Sequence, residues 1–318
     1  MKRYQVIRTG LSPYQSQDFL AQEEALVSHF PTLTYRSLKD FKADQDSILI
    51  TNTHTRLRSL PAKLLEISKL IIHPNSGYDH FEADYDFLKN TPLVVGHIIR
   101  AQAVAEYSLG ALFEGLLELP QHLTWHETRT WKRSLLKGTN VWVFGHGHIG
   151  KIIADTLVTL GMIVTIVDPY KPGCLKHWNQ GSLKKARVII SAMGLNQITK
   201  HIFSADFFSN LSDEVLFING ARGSLVDEIS LKSYLKSNPK SFAFLDVFEN
   251  EPFGNEWFGF PQVWKTSHIA GVEKDLDQKI LDFERMVLTD YLTVPHAGFL
   301  KKYEQELLQN KWIKGVLV

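Results

Sequence analysis

Reactive side chains lie at the ends of three predicted strands in the second half of the chain. The segments that follow these strands are INGARGSLVDE (218–228), LDVFENEPF (245–253) and WKTSHIAG (264–271), and they carry Arg222, Asp246, Glu251 and His268. In an open α/β sheet the carboxyl ends of the strands border the ligand crevice. We therefore expect one cation, two carboxylates and one imidazole at the same edge of a sheet.

This mixture suits the reduction of a 2-oxo acid, which needs a carboxylate holder, a group that polarises the ketone and a proton donor. Arg222 would serve the first two tasks, because a planar guanidinium stays charged and matches a carboxylate. His268 would donate the proton, and Glu251 nearby would stabilise the protonated imidazole. Taken singly, each residue is more often structural: a surface ion-pair partner, a turn residue or a core histidine. The catalytic interpretation depends on all three meeting.

A glycine-rich loop precedes these segments. Residues 145–150 read Gly-His-Gly-His-Ile-Gly, a GxGxxG pattern between a strand and an amphipathic helix. Gly145 would allow the tight turn, Gly147 would let the backbone approach a pyrophosphate, and Gly150 would let the helix pack on the strand. The free N–H groups and the positive dipole end of the helix would bind phosphates. The alternative is a tight turn without a ligand.

The second strand of this unit ends at Asp168, 23 residues after the first glycine. A carboxylate at this position accepts hydrogen bonds from the adenosine ribose and repels a 2′-phosphate, which favours NAD over NADP. The nearby Lys171 weakens this preference slightly. His146 and His148 could suggest a metal, but two loop histidines without further ligands make a poor site, so we predict no metal.

Short apolar runs alternate with amphipathic ones along most of the chain. Strands are predicted at 4–9, 33–37, 47–51, 69–74, 92–97, 141–144, 162–168, 187–191, 214–218, 242–247 and 262–266, and helices at 15–29, 101–119 and 276–292. Such alternation predicts parallel sheets covered on both faces. We expect a first domain at 1–97, completed by 274–318, and a dinucleotide-binding domain at 98–273. The tryptophan-bearing segment 122–140 shows no clear period and is predicted to be a packed surface excursion.

Composition restricts the possible partners and location. Among 318 residues, 35 Lys and Arg balance 34 Asp and Glu, for a net charge of +1, which argues against recruitment to nucleic acid or membranes by bulk charge. The single cysteine, Cys174, cannot form an internal disulfide. The N-terminal segment is too polar for a signal-peptide core, and Glu114 and Glu118 interrupt the longest apolar stretch. A cytoplasmic protein is expected.

These segments resemble the D-isomer-specific 2-hydroxyacid dehydrogenase family, which includes phosphoglycerate, glycerate and D-lactate dehydrogenases. The resemblance covers nearly the whole chain: it begins at NSGYDHFE (75–82) and RAQAVAEYSLG (100–110), continues through the glycine loop, INGARGSLVDE and DVFENEP, and ends at SHIAG (267–271). It implies an α/β protein of two domains, a Rossmann-type doubly wound parallel sheet plus a smaller flavodoxin-like substrate domain. It also implies an NAD-dependent oxidoreductase that interconverts a small 2-oxo acid and its D-2-hydroxy acid.

The resemblance assigns roles residue by residue. The catalytic set is Arg222, Glu251 and His268, with Arg222 also binding substrate beside Asn75, Ser76 and Gly77, whose loop offers backbone N–H groups to the substrate carboxylate. The cofactor-binding set is Gly145, Gly147, His148, Ile149, Gly150, Asp168, Met193, Gly194, Gly220, Ala221 and Asp246. In this set Asp246 is expected to contact the amide side of the nicotinamide.

The sequence departs from the family pattern and leaves alternatives open. Ser267 stands where the family usually has proline, and the helix before Val188 looks shortened. Glu251 argues against formate dehydrogenase, which carries glutamine there. A dinucleotide-sensing, corepressor-like protein is the competing hypothesis. Related enzymes are commonly homodimers, and 122–140 is a candidate contact. Substrate selectivity is expected to depend on residues 51–54, on the 75–78 loop and on Trp131.

Overall fold

The computed structural model describes residues 2–129, 131, 133, 135–313 and 316–318. The chain forms two compact units. The first, here the terminal unit, comprises the residues up to Arg100 together with Val272–Val318; the second, the central unit, is Ala101–Gly271. No helix in the described ranges is long and apolar enough to cross a membrane.

The strands and helices follow one another along the chain as predicted. The strands are β1 Tyr4–Arg8, β2 Leu33–Arg36, β3 Ser47–Ile50, β4 Ser68–His73, β5 Leu93–Val95, β6 Asn140–Phe144, β7 Ile163–Val167, β8 Val188–Ser191, β9 Leu216–Asn219, β10 Phe242–Leu245, β11 Val263–Lys265, β12 Trp312–Ile313 and β13 Val316–Leu317. The helices are α1 Phe19–Ser28, α2 Ala62–Ile67, α3 Tyr85–Leu88, α4 Ala101–Leu117, α5 His148–Thr159, α6 Gln180–Leu183, α7 Ala205–Ser209, α8 Glu228–Ser237, α9 Leu276–Thr293 and α10 His296–Lys302. Each of the eleven predicted strands is confirmed, and so are the three predicted helices.

The terminal unit contains a parallel five-stranded sheet in the order β2-β1-β3-β4-β5. This is the flavodoxin-like order, which confirms the fold expected for this part of the chain. Alternate residues of one strand face opposite sides: Ile48 and Ile50 join the cluster under α1 and α9, while Leu49 joins the cluster on the other face. The tail also packs in this unit, because Leu308 and Leu317 lie in the second cluster.

The central unit contains a parallel six-stranded sheet in the order β11-β10-β9-β8-β6-β7. A single bridge between Val167 and Leu175 adds one residue of a further strand beside β7. If Leu175 is counted as the third strand position of this unit, the order across the sheet, starting from Leu175, is 3-2-1-4-5-6-7. The first six positions follow the order of the Rossmann fold. The connection to β8 contains only the four-residue α6, which confirms the shortened helix.

Most of the described side chains in the segment 122–140 are exposed, although Leu136 packs against the core of the central unit. Leu123 and Trp125 are 85% and 73% exposed, and Leu135 is 68% exposed. The described residues between 123 and 139 form no helix or strand. The prediction of a packed excursion was therefore wrong for these side chains, because no apolar period in this segment directs them toward a core.

A buried ion cluster crosslinks the core of the terminal unit. The Arg8 guanidinium on β1 lies 2.5 Å from Glu23 Oε1 on α1 and 2.5 Å from Glu284 Oε1 on α9. Tyr35 donates its hydroxyl to Glu23 at 2.5 Å. Burial and the neighbouring Glu23 charge raise the pKa of Glu284 well above its usual value, although Arg8 opposes the shift. Glu284 therefore binds its proton more tightly in the folded protein than in the unfolded chain.

Replacing Glu284 by Gln should flatten the pH dependence of stability. A pKa raised by folding makes the native state bind the extra proton, so stability is full below the unfolded pKa and falls as pH rises. Relative to the wild type, the unfolding free energy of Glu284→Gln should rise with pH by up to about 1.4 kcal/mol per pH unit. Urea unfolding at pH 5, 6.5 and 8 measures this slope. Glu24→Gln, an exposed substitution on α1 next to Glu23, should show no such slope. If the stability of Glu284→Gln changed with pH in the same way as that of the wild type, the assignment would be contradicted.

Candidate active site

His268 and Glu251 form a hydrogen-bonded pair in the central unit. His268 Nδ1 lies 2.8 Å from Glu251 Oε2, and Glu251 Oε1 accepts the Phe248 N–H at 3.0 Å. Because a carboxylate only accepts, Nδ1 carries the proton and donates it to Glu251. The His268 side chain is 52% exposed, so the second ring nitrogen, Nε2, is left for another partner.

The surroundings of Glu251 keep it ionised. Burial alone would raise the pKa of this carboxyl group, but the hydrogen bonds from His268 and from the Phe248 N–H outweigh that effect. The charges of His268 and Arg222 act in the same direction, and the net result is a pKa below the usual value. At neutral pH the pair therefore presents an anionic partner to the imidazole.

The loop that carries His268 is built around the buried carboxylate of Asp246. This carboxylate accepts hydrogen bonds from Thr266 Oγ1 at 2.6 Å and from the Ile269 and Ala270 N–H groups at 2.8 Å each. The Asp246 carbonyl accepts the N–H of His268 at 2.8 Å. These bonds hold His268 at φ 56°, a left-handed conformation that costs free energy for a residue with a side chain.

A tyrosine on α4 extends this network. Tyr107 OH lies 2.7 Å from Thr266 Oγ1. Since the Thr266 hydroxyl hydrogen is directed to Asp246, Tyr107 donates to Thr266. Neither Tyr107 nor Thr266 stood out in the sequence, because a hydroxyl pair separated by 159 residues leaves no local pattern.

Arg222 is positioned by a close approach of two backbone segments. A Cβ on Gly223 would lie 1.9 Å from the carbonyl carbon and oxygen of Phe248, so only glycine lets these segments meet. The Asn219 side chain donates to the Arg222 carbonyl at 2.9 Å, and Arg222 Nη1 donates to the Ala221 carbonyl at 2.7 Å. The segment bearing Arg222 is thereby held against the segment that leads to Glu251.

The glycine loop has the shape expected of a phosphate-binding turn. Gly145 has φ 98°, and a Cβ there would lie 2.6 Å from the Ala192 carbonyl oxygen. A Cβ on Gly150 would lie 1.9 Å from the Gly145 carbonyl oxygen. A Cβ on Gly147 would meet nothing within 4 Å, so this glycine leaves open space in front of the N-terminus of α5. No side chain caps that end of the helix.

Asp168 closes the same turn. One of its oxygens accepts the His146 N–H at 2.8 Å, and the other accepts the Tyr170 N–H at 2.9 Å. The carboxylate is half-buried at the end of β7. Each oxygen retains a lone pair that could accept a hydroxyl hydrogen.

The remaining cofactor candidates differ in exposure. Met193 and Ala221 are half-buried, Gly194 is exposed and Gly220 is buried. Ile149 packs against the core beneath α5, and His148 is the first residue of that helix. Asp246 is only 1% exposed, with both oxygens occupied by its own loop, so its first task is to shape that loop.

The candidate substrate loop lies in the terminal unit, directly after β4. Asn75 and Gly77 are buried, whereas Ser76 is half-exposed. Asn75 Oδ1 accepts the Tyr14 hydroxyl at 2.9 Å, and His73 Nε2 lies 2.9 Å from the Gly77 carbonyl oxygen. Sequence reasoning missed His73, although a histidine ending an otherwise apolar strand was a visible signal.

Comparison with known families agrees with this arrangement. A family model described as "D-isomer specific 2-hydroxyacid dehydrogenase, NAD binding domain" matches residues 111–270, which is half of the 318-residue chain. The chain belongs to the D-isomer specific 2-hydroxyacid dehydrogenase family. It therefore belongs to a family of NAD-dependent oxidoreductases, and the central unit contains its NAD-binding domain.

Individual relatives in this dehydrogenase family are distant. The chain is 29% identical to (S)-sulfolactate dehydrogenase of Chromohalobacter salexigens over 56% of this chain and 62% of that protein, less than two thirds of its length. It is 27% identical to 4-methyl-2-oxopentanoate reductase A of Aspergillus oryzae over 86% and 88% of the two chains. The crystal structure of D-lactate dehydrogenase from Aquifex aeolicus with NAD and lactic acid has a TM-score of 0.71 at 19% identity, covering 96% of this chain and 99% of that one. This last similarity supports the shared fold.

The residues of the central unit fit the dinucleotide that the family binds. The space left by Gly147 and the uncapped first turn of α5 suit a pyrophosphate. Asp168 suits a ribose with free hydroxyls. Among the residues that the structure describes, no cluster of His, Cys, Asp and Glu could hold a metal ion.

Substituting Gly223 by Ala should destabilise the protein strongly. The new Cβ would overlap the Phe248 backbone, which cannot move without displacing the Glu251 segment. We expect a loss of about 3 kcal/mol or more in the unfolding free energy, measured by urea unfolding. Gly110→Ala is the matched control, because nothing lies within 4 Å of its added Cβ and alanine favours a helix by up to about 1 kcal/mol. Equal stability of the two variants would contradict the close approach.

Proposed function

We propose that this dehydrogenase catalyses the NAD-dependent interconversion of a small 2-oxo acid and its D-2-hydroxy acid. The observation that carries the proposal is the His268–Glu251 pair, at 2.8 Å between Nδ1 and Oε2. An imidazole held by an ionised carboxylate, with a second ring nitrogen left for a partner, is the arrangement of a general acid and base. The charge of Arg222 acts on the same carboxylate.

In the reduction, His268 delivers its Nε2 proton to the carbonyl oxygen as the carbonyl carbon receives a hydride, so that C=O becomes CH–OH. Bound NADH supplies that hydride. In the oxidation, Nε2 accepts the hydroxyl proton. Glu251 orients the imidazole through Nδ1 and favours its protonated form before transfer. The strained backbone of His268, held by Asp246, keeps the ring in one orientation.

Arg222 is proposed to bind the substrate carboxylate and to polarise the ketone. Its guanidinium matches two carboxylate oxygens and stays charged. We further propose that the backbone N–H groups of Ser76 and Gly77 contribute to carboxylate binding, so that 1–97 with 274–318 acts as the substrate domain. The buried Asn75 anchors that loop by accepting a hydrogen bond from the Tyr14 hydroxyl.

The substrate is proposed to be a small 2-oxo acid, and the proposal does not specify its side chain. The relatives are named for sulfolactate and for 4-methyl-2-oxopentanoate, whose side chains differ in charge and bulk. Within the expected selectivity set, Thr51, Asn52, Asn75 and Gly77 are buried. The more accessible members are Thr53, His54, Ser76, Tyr78 and Trp131, of which His54 and Trp131 are exposed.

A homodimer is also proposed, with 122–140 as its contact. The exposed Leu123 and Trp125 offer an apolar surface. Sedimentation velocity tests this proposal, and a monomer at micromolar concentration would exclude it.

The catalytic proposal is tested by NADH oxidation with pyruvate, glyoxylate, hydroxypyruvate and branched 2-oxo acids. We expect turnover with at least one of them, and a fall in kcat/KM of roughly 100-fold or more in Arg222→Ala, as for loss of a charged hydrogen-bonding partner. NADH affinity, followed by fluorescence, should change little. Turnover of none of these acids, combined with NADH-dependent binding of a partner, would favour the sensing hypothesis.

Glu251→Gln should weaken the acid catalyst and shift its pH dependence. Without the carboxylate the protonated imidazole loses a charge-assisted bond, so reduction should slow by about 10- to 100-fold at pH 8. The alkaline limb of the kcat/KM profile should move to lower pH. Glu249→Gln removes the same charge from an exposed residue that contacts His201, and its profile should match the wild type. An unshifted limb in Glu251→Gln would refute the role of Glu251.

A further inference from the structure

Carbonyl groups at both ends of the loop after β4 accept hydrogen bonds from within the terminal unit. The Pro74 carbonyl accepts from Arg100 Nη1 at 3.1 Å, and the Gly77 carbonyl accepts from His73 Nε2 at 2.9 Å. The His73 carbonyl accepts the Asn75 N–H at 2.8 Å.

The amide N–H groups of the same loop remain. Within the described ranges, those of Ser76 and Gly77 donate to no acceptor. Successive backbone N–H groups in a turn can bind one anion together. The shape of such a site depends on what holds the carbonyl groups of the loop.

His73 is the side chain that spans the loop from beneath. It is fully buried at the end of β4. Its Nε2 reaches the Gly77 carbonyl, and its Nδ1 lies 2.9 Å from the Thr51 hydroxyl. Because a carbonyl only accepts, Nε2 carries the ring proton. In the neutral ring Nδ1 must then accept, so Thr51 donates.

The protonation state of His73 is constant over the working range of pH. Burial, together with the nearby positive charges of His80 and Arg100, lowers the pKa of His73 to about 3. The ring therefore stays neutral, with one donor and one acceptor, and its two hydrogen bonds persist at every pH at which the enzyme would be assayed.

We propose that His73 is a positioning residue, whose buried imidazole fixes the 75–77 loop so that the Ser76 and Gly77 amides bind the substrate carboxylate. This inference rests on the proposed function of the loop. It extends that proposal, because it names a side chain that holds the binding loop in place without touching the substrate.

Arg100 adds a buried positive charge next to the start of this loop. The residue is 7% exposed, and its guanidinium donates to the Pro74 carbonyl and to the Tyr14 hydroxyl. Among the described residues it makes no ion pair with a carboxylate. A buried cation in contact with the loop makes the loop more favourable for an anion.

The test compares His73→Leu with His73→Gln in the full-length protein. Leucine fills similar space but removes both hydrogen bonds, whereas the glutamine amide can still donate to the Gly77 carbonyl. We expect His73→Leu to raise the KM for the 2-oxo acid and the Kd for oxamate, an unreactive isostere of a 2-oxo acid, by at least about tenfold. His73→Gln should recover most of this loss, and NADH affinity should stay within about twofold of the wild type.

Two further variants separate positioning from simple destabilisation. Thr51→Val removes the donor to Nδ1, together with a longer contact of the same hydroxyl with the Ile72 carbonyl at 3.3 Å. It should raise the KM and the oxamate Kd, but by less than His73→Leu does. Ser47→Ala removes a buried hydroxyl contact with Ser68, 3.0 Å long, in the same sheet. It should lower the melting temperature without changing the KM or the oxamate Kd. If His73→Leu fails to fold, His73→Gln and Thr51→Val carry the comparison.

The outcomes distinguish this inference from the proposed function. Wild-type oxamate affinity in His73→Leu, whether or not its melting temperature falls, would reduce His73 to a structural residue. If the wild type turns over no 2-oxo acid, the proposed function fails. Oxamate binding alone then tests whether His73 positions the 75–77 loop. Weakened oxamate binding in His73→Leu would then still support positioning, and absence of oxamate binding in the wild type would overturn both.

Discussion

The buried carboxylate of Asp246 is the constraint on which the candidate active site depends. It accepts a hydroxyl and two backbone N–H groups from the loop that carries His268. A buried carboxylate is costly unless it is hydrogen-bonded, and here the loop supplies those bonds. The same hydrogen bonds also offset the free-energy cost of the left-handed backbone at His268. The imidazole is thereby aimed at Glu251.

The two units use ionisable side chains in different ways. In the terminal unit, Arg8, Glu23 and Glu284 are sealed in the core, where a charge cluster joins β1, α1 and α9 and has no access to a ligand. In the central unit, Glu251 and His268 are 36% and 52% exposed. Exposure of the imidazole leaves one nitrogen accessible while the other is fixed. That difference separates a structural ion cluster from a group able to exchange a proton.

Close backbone approach is the second requirement of the site. Gly150 lies against the Gly145 carbonyl, and Gly223 lies against the Phe248 backbone. In both cases a Cβ would overlap main-chain atoms, which cannot rotate away as a side chain can. The first contact shapes the phosphate-binding turn, and the second joins the Arg222 segment to the Glu251 segment. The dinucleotide turn and the catalytic candidates thus depend on the same physical property of glycine.

Local sequence patterns were enough to predict the strands, the main helices and the candidate residues. Continuous apolar runs predicted the strands, because strands buried on both faces need them, and the glycine loop with Asp168 predicted a dinucleotide site. Only the tertiary structure decided which partners these residues have. The carboxylate of Asp246 accepts hydrogen bonds from its own loop, and Trp125 was expected to pack but is exposed. The contacts of His73 and Tyr107 with other segments became known only from the structure. Hydrogen-bond partners from distant segments are set by packing, which local periodicity does not encode.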